Sequence, residues 1–124
     1  MPLYTVVTQE DFLPAETRSK IAAEITRIHS TVMSVPRHFV RVVFLSYAAG
    51  SGYTAGAPAP TAAVNCILRS GHGSAEKADM LRQLWSMFQN LTGIPTDQLA
   101  ISLQEIPSSN AMEMGQIMPS VGSD

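Results

Sequence analysis

The spacing of apolar positions changes several times along the chain, and each change marks an element. The opening run PLYTVVT is rich in β-branched and aromatic residues and predicts a strand. LPAETRSKIAAEITRIHSTVMS then sets Ile21, Ile25, Ile28 and Val32 at helical spacing, with Pro14 in the first turn, where proline is tolerated. HFVRVVFLSY predicts a second strand, and AAGSGYTAGAPAPT, crowded with Gly and Pro, predicts a loop over 48–61. The same order returns afterwards. AAVNCILR predicts a strand. SAEKADMLRQLWSMFQNLTG predicts a helix with Ser74 as N-cap and a stripe of Leu81, Leu84, Trp85, Phe88 and Leu91, stopped by Gly93. DQLAISLQEI predicts the last strand, and PSSNAMEMGQIMPSVGSD a turn-rich tail.

The two halves superimpose at an offset of 59 residues. Val35-Pro36 maps onto Ile94-Pro95, Val32 onto Leu91, Ile25 onto Leu84 and Val42 onto Ile101. Few residues are identical, so the repeat is one of pattern, and it predicts a duplicated β-α-β unit. Each helix must then cross over between parallel strands, right-handedly. The expected fold class is α/β: one domain over 1–124, with pseudo-repeats at about 2–58 and 61–117, forming a four-stranded sheet with two helices on one face. The other sheet face stays uncovered, and its apolar residues predict oligomer contacts.

Composition narrows the function. A chain of 124 residues, 45% hydrophobic and 15% charged, fits one domain with one core. A net charge of -2 supplies no basic field for nucleic acid or a membrane surface. Glu10, Asp11 and Glu16 interrupt the start, so no signal peptide is expected, and no run approaches the roughly 20 apolar residues of a membrane span. The single Cys66 excludes an intrachain disulfide and fits a reducing, cytoplasmic compartment. Cys66 sits in an apolar strand pattern with no cation or histidine adjoining it, so it reads as a buried, inert thiol. No Cys/His cluster has metal-ligand spacing, and SGHGS is neither a P-loop nor a dinucleotide fingerprint; no cofactor is expected.

Candidate chemistry begins at Pro2. Proline is permitted as the first residue of a strand, so the plain reading is structural. Trimming of Met1, common before a small residue, would instead leave a free secondary amine with a pKa near ~8 on a rigid ring. His29 borders the buried stripe of the first helix and reads alone as a core histidine. Arg69 ends a strand just before a helix start, where exposed N–H groups attract anions and an arginine can grip a carboxylate with two parallel bonds. Glu113 reads alone as a surface carboxylate of the tail, although two methionines flank it. His38, Arg37 and Arg41 read as a solvated strand edge, Asn65 as an outward strand residue, and Tyr53 as a loop residue that nothing ties to the site.

A tandem β-α-β chain with MPLYTVV, AAEITRIHS, LRSGHGSAEK and EIPSSNAMEMG in this order resembles the tautomerase superfamily, and within it the cis-3-chloroacrylic acid dehalogenase group. The resemblance covers nearly the whole chain. It implies a homotrimer in which Pro2 is the acid or base, His29 positions water or substrate, Arg69 holds a small carboxylate substrate and Glu113 activates water. Two departures stand out. The resembled enzymes carry a second arginine where this chain has His72, so carboxylate binding becomes weaker or pH-dependent. They carry a tyrosine on the last strand where this chain has Ser102, which argues against efficient dehalogenation. The expected activity is therefore keto–enol tautomerisation of a small 2-keto acid. The alternatives are hydration of a 3-haloacrylate or acetylenic acid, and a non-catalytic oligomeric binding protein, which retention of Met1 would favour.

Overall fold

The computed structural model describes residues 1–121. Strand β1 (Leu3–Gln9) leads into helix α1 (Ala15–Met33) and strand β2 (Arg41–Tyr47). A small hairpin, β3 (Tyr53–Thr54) and β4 (Ala57–Pro58), follows. Strand β5 (Ala62–Arg69), helix α2 (Ser74–Thr92) and strand β6 (Leu99–Ile106) repeat the unit, and a second hairpin, β7 (Met112–Glu113) and β8 (Gln116–Ile117), closes it. The four long strands form one sheet in the order β2-β1-β5-β6. Its outer pairs are parallel and its central pair, β1 with β5, is antiparallel. The two expected β-α-β crossovers therefore lie side by side, head to tail.

The core lies between the sheet and the helices. Tyr4 and Val6 of β1 and Ala62, Val64, Cys66 and Leu68 of β5 alternate inward, as the two-residue period of a strand requires. Ile21, Ile25, Ile28 and Met33 of α1 meet Met80, Leu84 and Phe88 of α2 above them. Each such side chain contributes about 1.5–3 kcal/mol when fully buried. On α2 the centre of the stripe is Met80 rather than Leu81, which is half-buried: the helix is turned slightly from the expected face. The opposite sheet face is left uncovered, with Val43 at 45% and Leu45 at 52% exposure. That face is mixed in character, since Ser102 donates to Asn65 Oδ1 across it at 2.9 Å.

Several local expectations need correction. The N-cap of α2 is Gly73, not Ser74, and no side chain caps it; Ser74 is the first helical residue. Pro14 is itself the N-cap of α1 rather than part of its first turn. Residues 37–39 form a single 3-10 turn, so β2 starts at Arg41 rather than at His38. Residues 96–98 do the same ahead of β6. The segment expected as loop over 48–61 contains the β3–β4 hairpin, and the turn-rich tail contains β7–β8. Two-residue strands carry no readable period. Residues 122–124 of that tail lie outside the described residues.

The duplication extends through these details. At an offset of 59, Ala15–Met33 falls on Ser74–Thr92, and β3–β4 falls on β7–β8. The left-handed helix ends at Ser34 (φ 54°) and Gly93 (φ 68°) correspond. The hairpin turns Ala55-Gly56 and Met114-Gly115 also correspond, each with two residues at positive φ, as tight two-residue hairpins need.

Candidate active site

Pro2 is fully buried at the foot of β1. Its carbonyl accepts a hydrogen bond from the Arg41 N–H at 3.2 Å, where the parallel register sets Leu3 beside Arg41. Its missing N–H costs nothing there. The terminal amine of Met1, one residue away, donates to Glu113 Oε1. Arg41 Nη1 donates to the same oxygen at 2.9 Å. Glu113 is thus a carboxylate only 8% exposed, shared by two cations, and not the surface group that its tail position suggests. Its other oxygen, Oε2, is buried without a hydrogen-bond partner among the described residues. The β7–β8 hairpin holds Glu113 in place, and is itself tied down by the bond from Met118 N–H to the Ala111 carbonyl at 2.8 Å.

His29 projects from α1 into the core and is 1% exposed. Its Nδ1 lies 2.7 Å from the hydroxyl of Tyr4, and the two rings meet edge to face at 5.6 Å. Burial drives the His29 pKa down to about 3, and the nearby His72 and amino terminus push the same way. Both groups therefore lie close enough to be felt at the imidazole. Burial likewise raises the Tyr4 phenol above its ordinary value, and pushes Cys66 up to about 12. Cys66 is a neutral core thiol, as expected.

Arg69 is 3% exposed at the end of β5. The antiparallel register pairs Leu3 with Ile67; extended by two places, it sets residue 1 against Arg69. Arg69 Nη1 donates to the Pro119 carbonyl at 2.6 Å. A cavity of about 310 Å³ opens beside it, lined by Met33, Val35, Gly71, His72 and Val121. Gly71 takes a φ of +116°, and a Cβ there would lie 3.2 Å from Val121 Cβ, so a glycine lets segment 118–121 pack closely over the cavity. The His72 side chain is 4% exposed, with Nδ1 3.7 Å from Glu76 Oε2 at the start of α2.

Pro2, His29, Arg69, His72 and Glu113 thus gather at one end of the sheet, where β1 begins and β5 finishes. Ser102 and Tyr53 are not part of this arrangement: Ser102 lies on the uncovered sheet face, and Tyr53 is 58% exposed on the first hairpin. Sequence reasoning missed two members. Arg41 reads as a solvated edge, and its stem is half-exposed, but its tip reaches Glu113. The available signal was its place at the start of a strand parallel to β1. Tyr4 lies 25 residues from His29, and only the inward parity of β1 joins them. Two larger hollows contain none of these residues: about 720 Å³ near the far ends of β1 and β2, and about 500 Å³ along the outer helix groove.

This arrangement can hold a small anion against Arg69, offer hydrogen bonds from buried polar groups, and place a carboxylate at the amino terminus. The model of a family described as putative oxalocrotonate tautomerase enzyme matches residues 1–124. No functionally curated protein is similar enough in sequence to match. Among solved structures, native Ps01740 is 31% identical, with a TM-score of 0.88 over 90% of this chain and 99% of that one. N1, a member of the cis-3-chloroacrylic acid dehalogenase family, is 29% identical, with a TM-score of 0.92 over 97% of this chain and 85% of its own. A fused 4-OT in a symmetric trimer shares the fold, with a TM-score of 0.86 at 20% identity over 98% and 99% of the two chains. A match along its whole length, on a fold shared with these proteins, shows that the chain belongs to the putative oxalocrotonate tautomerase family of the tautomerase superfamily.

Proposed function

We propose that the protein interconverts a small 2-keto acid and its enol, with the amine of Pro2, freed by removal of Met1, as the acid–base group. The observation that carries this reading is the pairing of buried Glu113 with the chain's terminal amine, one residue from a buried Pro2. In the scheme, the substrate carboxylate takes the place of the Pro119 carbonyl on Arg69, with His72 beside it. The neutral amine accepts the proton from the 2-hydroxyl of the enol. The C2–O bond becomes a carbonyl as the C2=C3 electrons move outward, and C3 takes the proton from the amine. His29 donates to the oxygen on which charge develops. No cofactor enters the scheme, because the amine both takes and returns the proton. With Met1 in place the Pro2 nitrogen is an amide with no basic lone pair. Intact mass together with ketonisation of phenylpyruvate enol tests the reading: a Pro2-terminated preparation without activity would defeat it.

A second reading is favoured by one observation, the buried and unpartnered Glu113 Oε2. A carboxylate oxygen so placed suits orientation of a water for addition to a 3-haloacrylate or acetylenic acid, with protonated Pro2 as the acid. The pH–rate profile distinguishes the two: an ascending limb below about pH 7.5 marks the base, a descending limb above it the acid.

The working form in this proposal is a trimer in the cytoplasm. The uncovered sheet face supports an oligomer, as do Met112, Met114 and Ile117, each at least 60% exposed on the β7–β8 hairpin beside Glu113. Among the described residues no helix is long and apolar enough to cross a membrane. Light scattering that finds a monomer at micromolar concentration would remove the oligomer.

A further inference from the structure

The bond between Tyr4 and His29 joins two side chains that are almost wholly buried. Two proton arrangements fit the heavy atoms. In one, the Tyr4 O–H donates to Nδ1 and the imidazole proton sits on Nε2. In the other, Nδ1–H donates to the Tyr4 oxygen, and the Tyr4 O–H turns to Met80 Sδ at 3.5 Å. The first joins the better donor to the better acceptor, since a thioether is a weak acceptor and an imidazole nitrogen a strong one.

We propose that Tyr4 is a positioning residue that holds His29 as the neutral Nε2–H tautomer, so that His29 serves the site as a fixed hydrogen-bond donor and not as a proton carrier. This rests on the proposed tautomerase reading for its use, but not for its existence. The groups felt at the ring are His72 and the amino terminus, both of which disfavour a second proton on it, while Tyr4 holds Nδ1. Cys66, also close to Tyr4, stays neutral in the core. A donor whose charge does not change suits a developing enolate oxygen: it stabilises the negative charge without giving its proton away.

Two-bond 1H–15N correlation spectra of the full-length, histidine-labelled protein test this directly, without turnover. Expected for His29 are an unprotonated Nδ1 and a protonated Nε2, unchanged from about pH 5 to about pH 8, a range in which an ordinary histidine titrates. A proton on Nδ1, or a titration inside that range, overturns the proposal. Met80→Leu keeps the core volume, removes one of the two sulfurs near the Tyr4 hydroxyl (the other is that of Cys66) and should leave the tautomer as it was; a switch of tautomer overturns the proposal. Tyr4→Phe should mix the tautomers and lower kcat on phenylpyruvate enol by roughly two- to tenfold, the worth of one hydrogen bond, with little change in KM. Wild-type spectra and kcat in a folded Tyr4→Phe variant would overturn it. If that variant does not fold, the wild-type and Met80→Leu spectra decide. His29→Gln, whose amide also donates, should retain more activity than His29→Ala. The expected tautomer in a wild-type protein that fails to ketonise the enol would defeat the tautomerase reading alone.

Discussion

The two hairpins share one backbone and differ in chemistry. Each follows the second strand of its unit and reaches back to the start of a parallel pair of strands. At β7–β8 the side chain at the critical position is Glu113, which meets Arg41 at the start of β2. At β3–β4 the position 59 residues earlier is Thr54, whose hydroxyl donates to Gln98 Oε1 at 3.0 Å, just ahead of β6. Arg41 corresponds to Ala100, and His29 to Phe88. The foot of β1 has a chain terminus, whereas the foot of β5 has Thr61, whose carbonyl accepts from the Tyr47 hydroxyl. Duplication thus built two equivalent frames, and at these three pairs of positions the charged or titratable side chain lies in one frame each time, while Arg69 corresponds to Glu10 in the other. In the proposed reading the difference follows from covalent structure: the scheme needs a free amine, which cannot exist at the start of the second unit, inside the chain. The second copy was left to packing, with Phe88 in the core where the first copy buries a histidine.

The comparison breaks most sharply at Arg69. Arg69→Ala should lower kcat/KM on a 2-keto acid by about ten- to a hundredfold, since a charge-assisted hydrogen bond is worth roughly 1.5–3 kcal/mol. The sheet should stay intact, because Arg69 is the last residue of β5 and its Nη1 donates to the Pro119 carbonyl, outside the sheet. Unchanged kinetics with unchanged thermal melting would place the anion elsewhere. His72→Arg is its partner: a permanent charge beside Arg69 should lower KM for the carboxylate, and an unchanged KM would place position 72 outside the clamp.

Acid stability distinguishes His29 from Phe88. His29 falls from an ordinary 6.5 to about 3 in the fold, so below about pH 6.5 the unfolded chain binds the proton and the folded one does not. Stability is therefore fully present above that pH and is lost as pH falls toward about 3, by up to about 1.4 kcal/mol per pH unit. Urea midpoints measured down to about pH 4.5 should fall less steeply in His29→Gln than in the wild type. Parallel slopes would mean that the imidazole is protonated in the folded protein.

The smallest effect is an expected null. Thr54→Glu with Ala100→Arg copies the second hairpin's ion pair onto the first. With no amine at the foot of β5, kcat/KM should stay within about twofold of wild type, since surface pairs of this kind contribute little. A marked gain in activity would show that the pair, and not the amine, makes the site.

These contrasts also show what the amino-acid order reveals. The offset of 59 was readable from Pro36 and Pro95 and from the two apolar stripes, and it carries the limits of α1 onto those of α2. Pro2 and Arg69 drew notice from their local chemistry, whereas His29, His72 and Glu113 were singled out as site candidates only through family resemblance, because alone they read as a core histidine, a turn residue and a tail carboxylate. The hairpins escaped notice because strands two residues long have no period, although the same offset sets Thr54 opposite Glu113. Arg41 and Tyr4 escaped because their partners lie 72 and 25 residues away, and only strand register and parity bring them together.

The central claim is that the amine of Pro2 does the chemistry, and one comparison tests it most directly. Two preparations, one shown by intact mass to begin at Pro2 and one shown to keep Met1, are assayed side by side on phenylpyruvate enol. The account predicts ketonisation by the first, with a limb set by an amine of pKa near or below ~8, and none above background by the second. Equal activity in the two would contradict it.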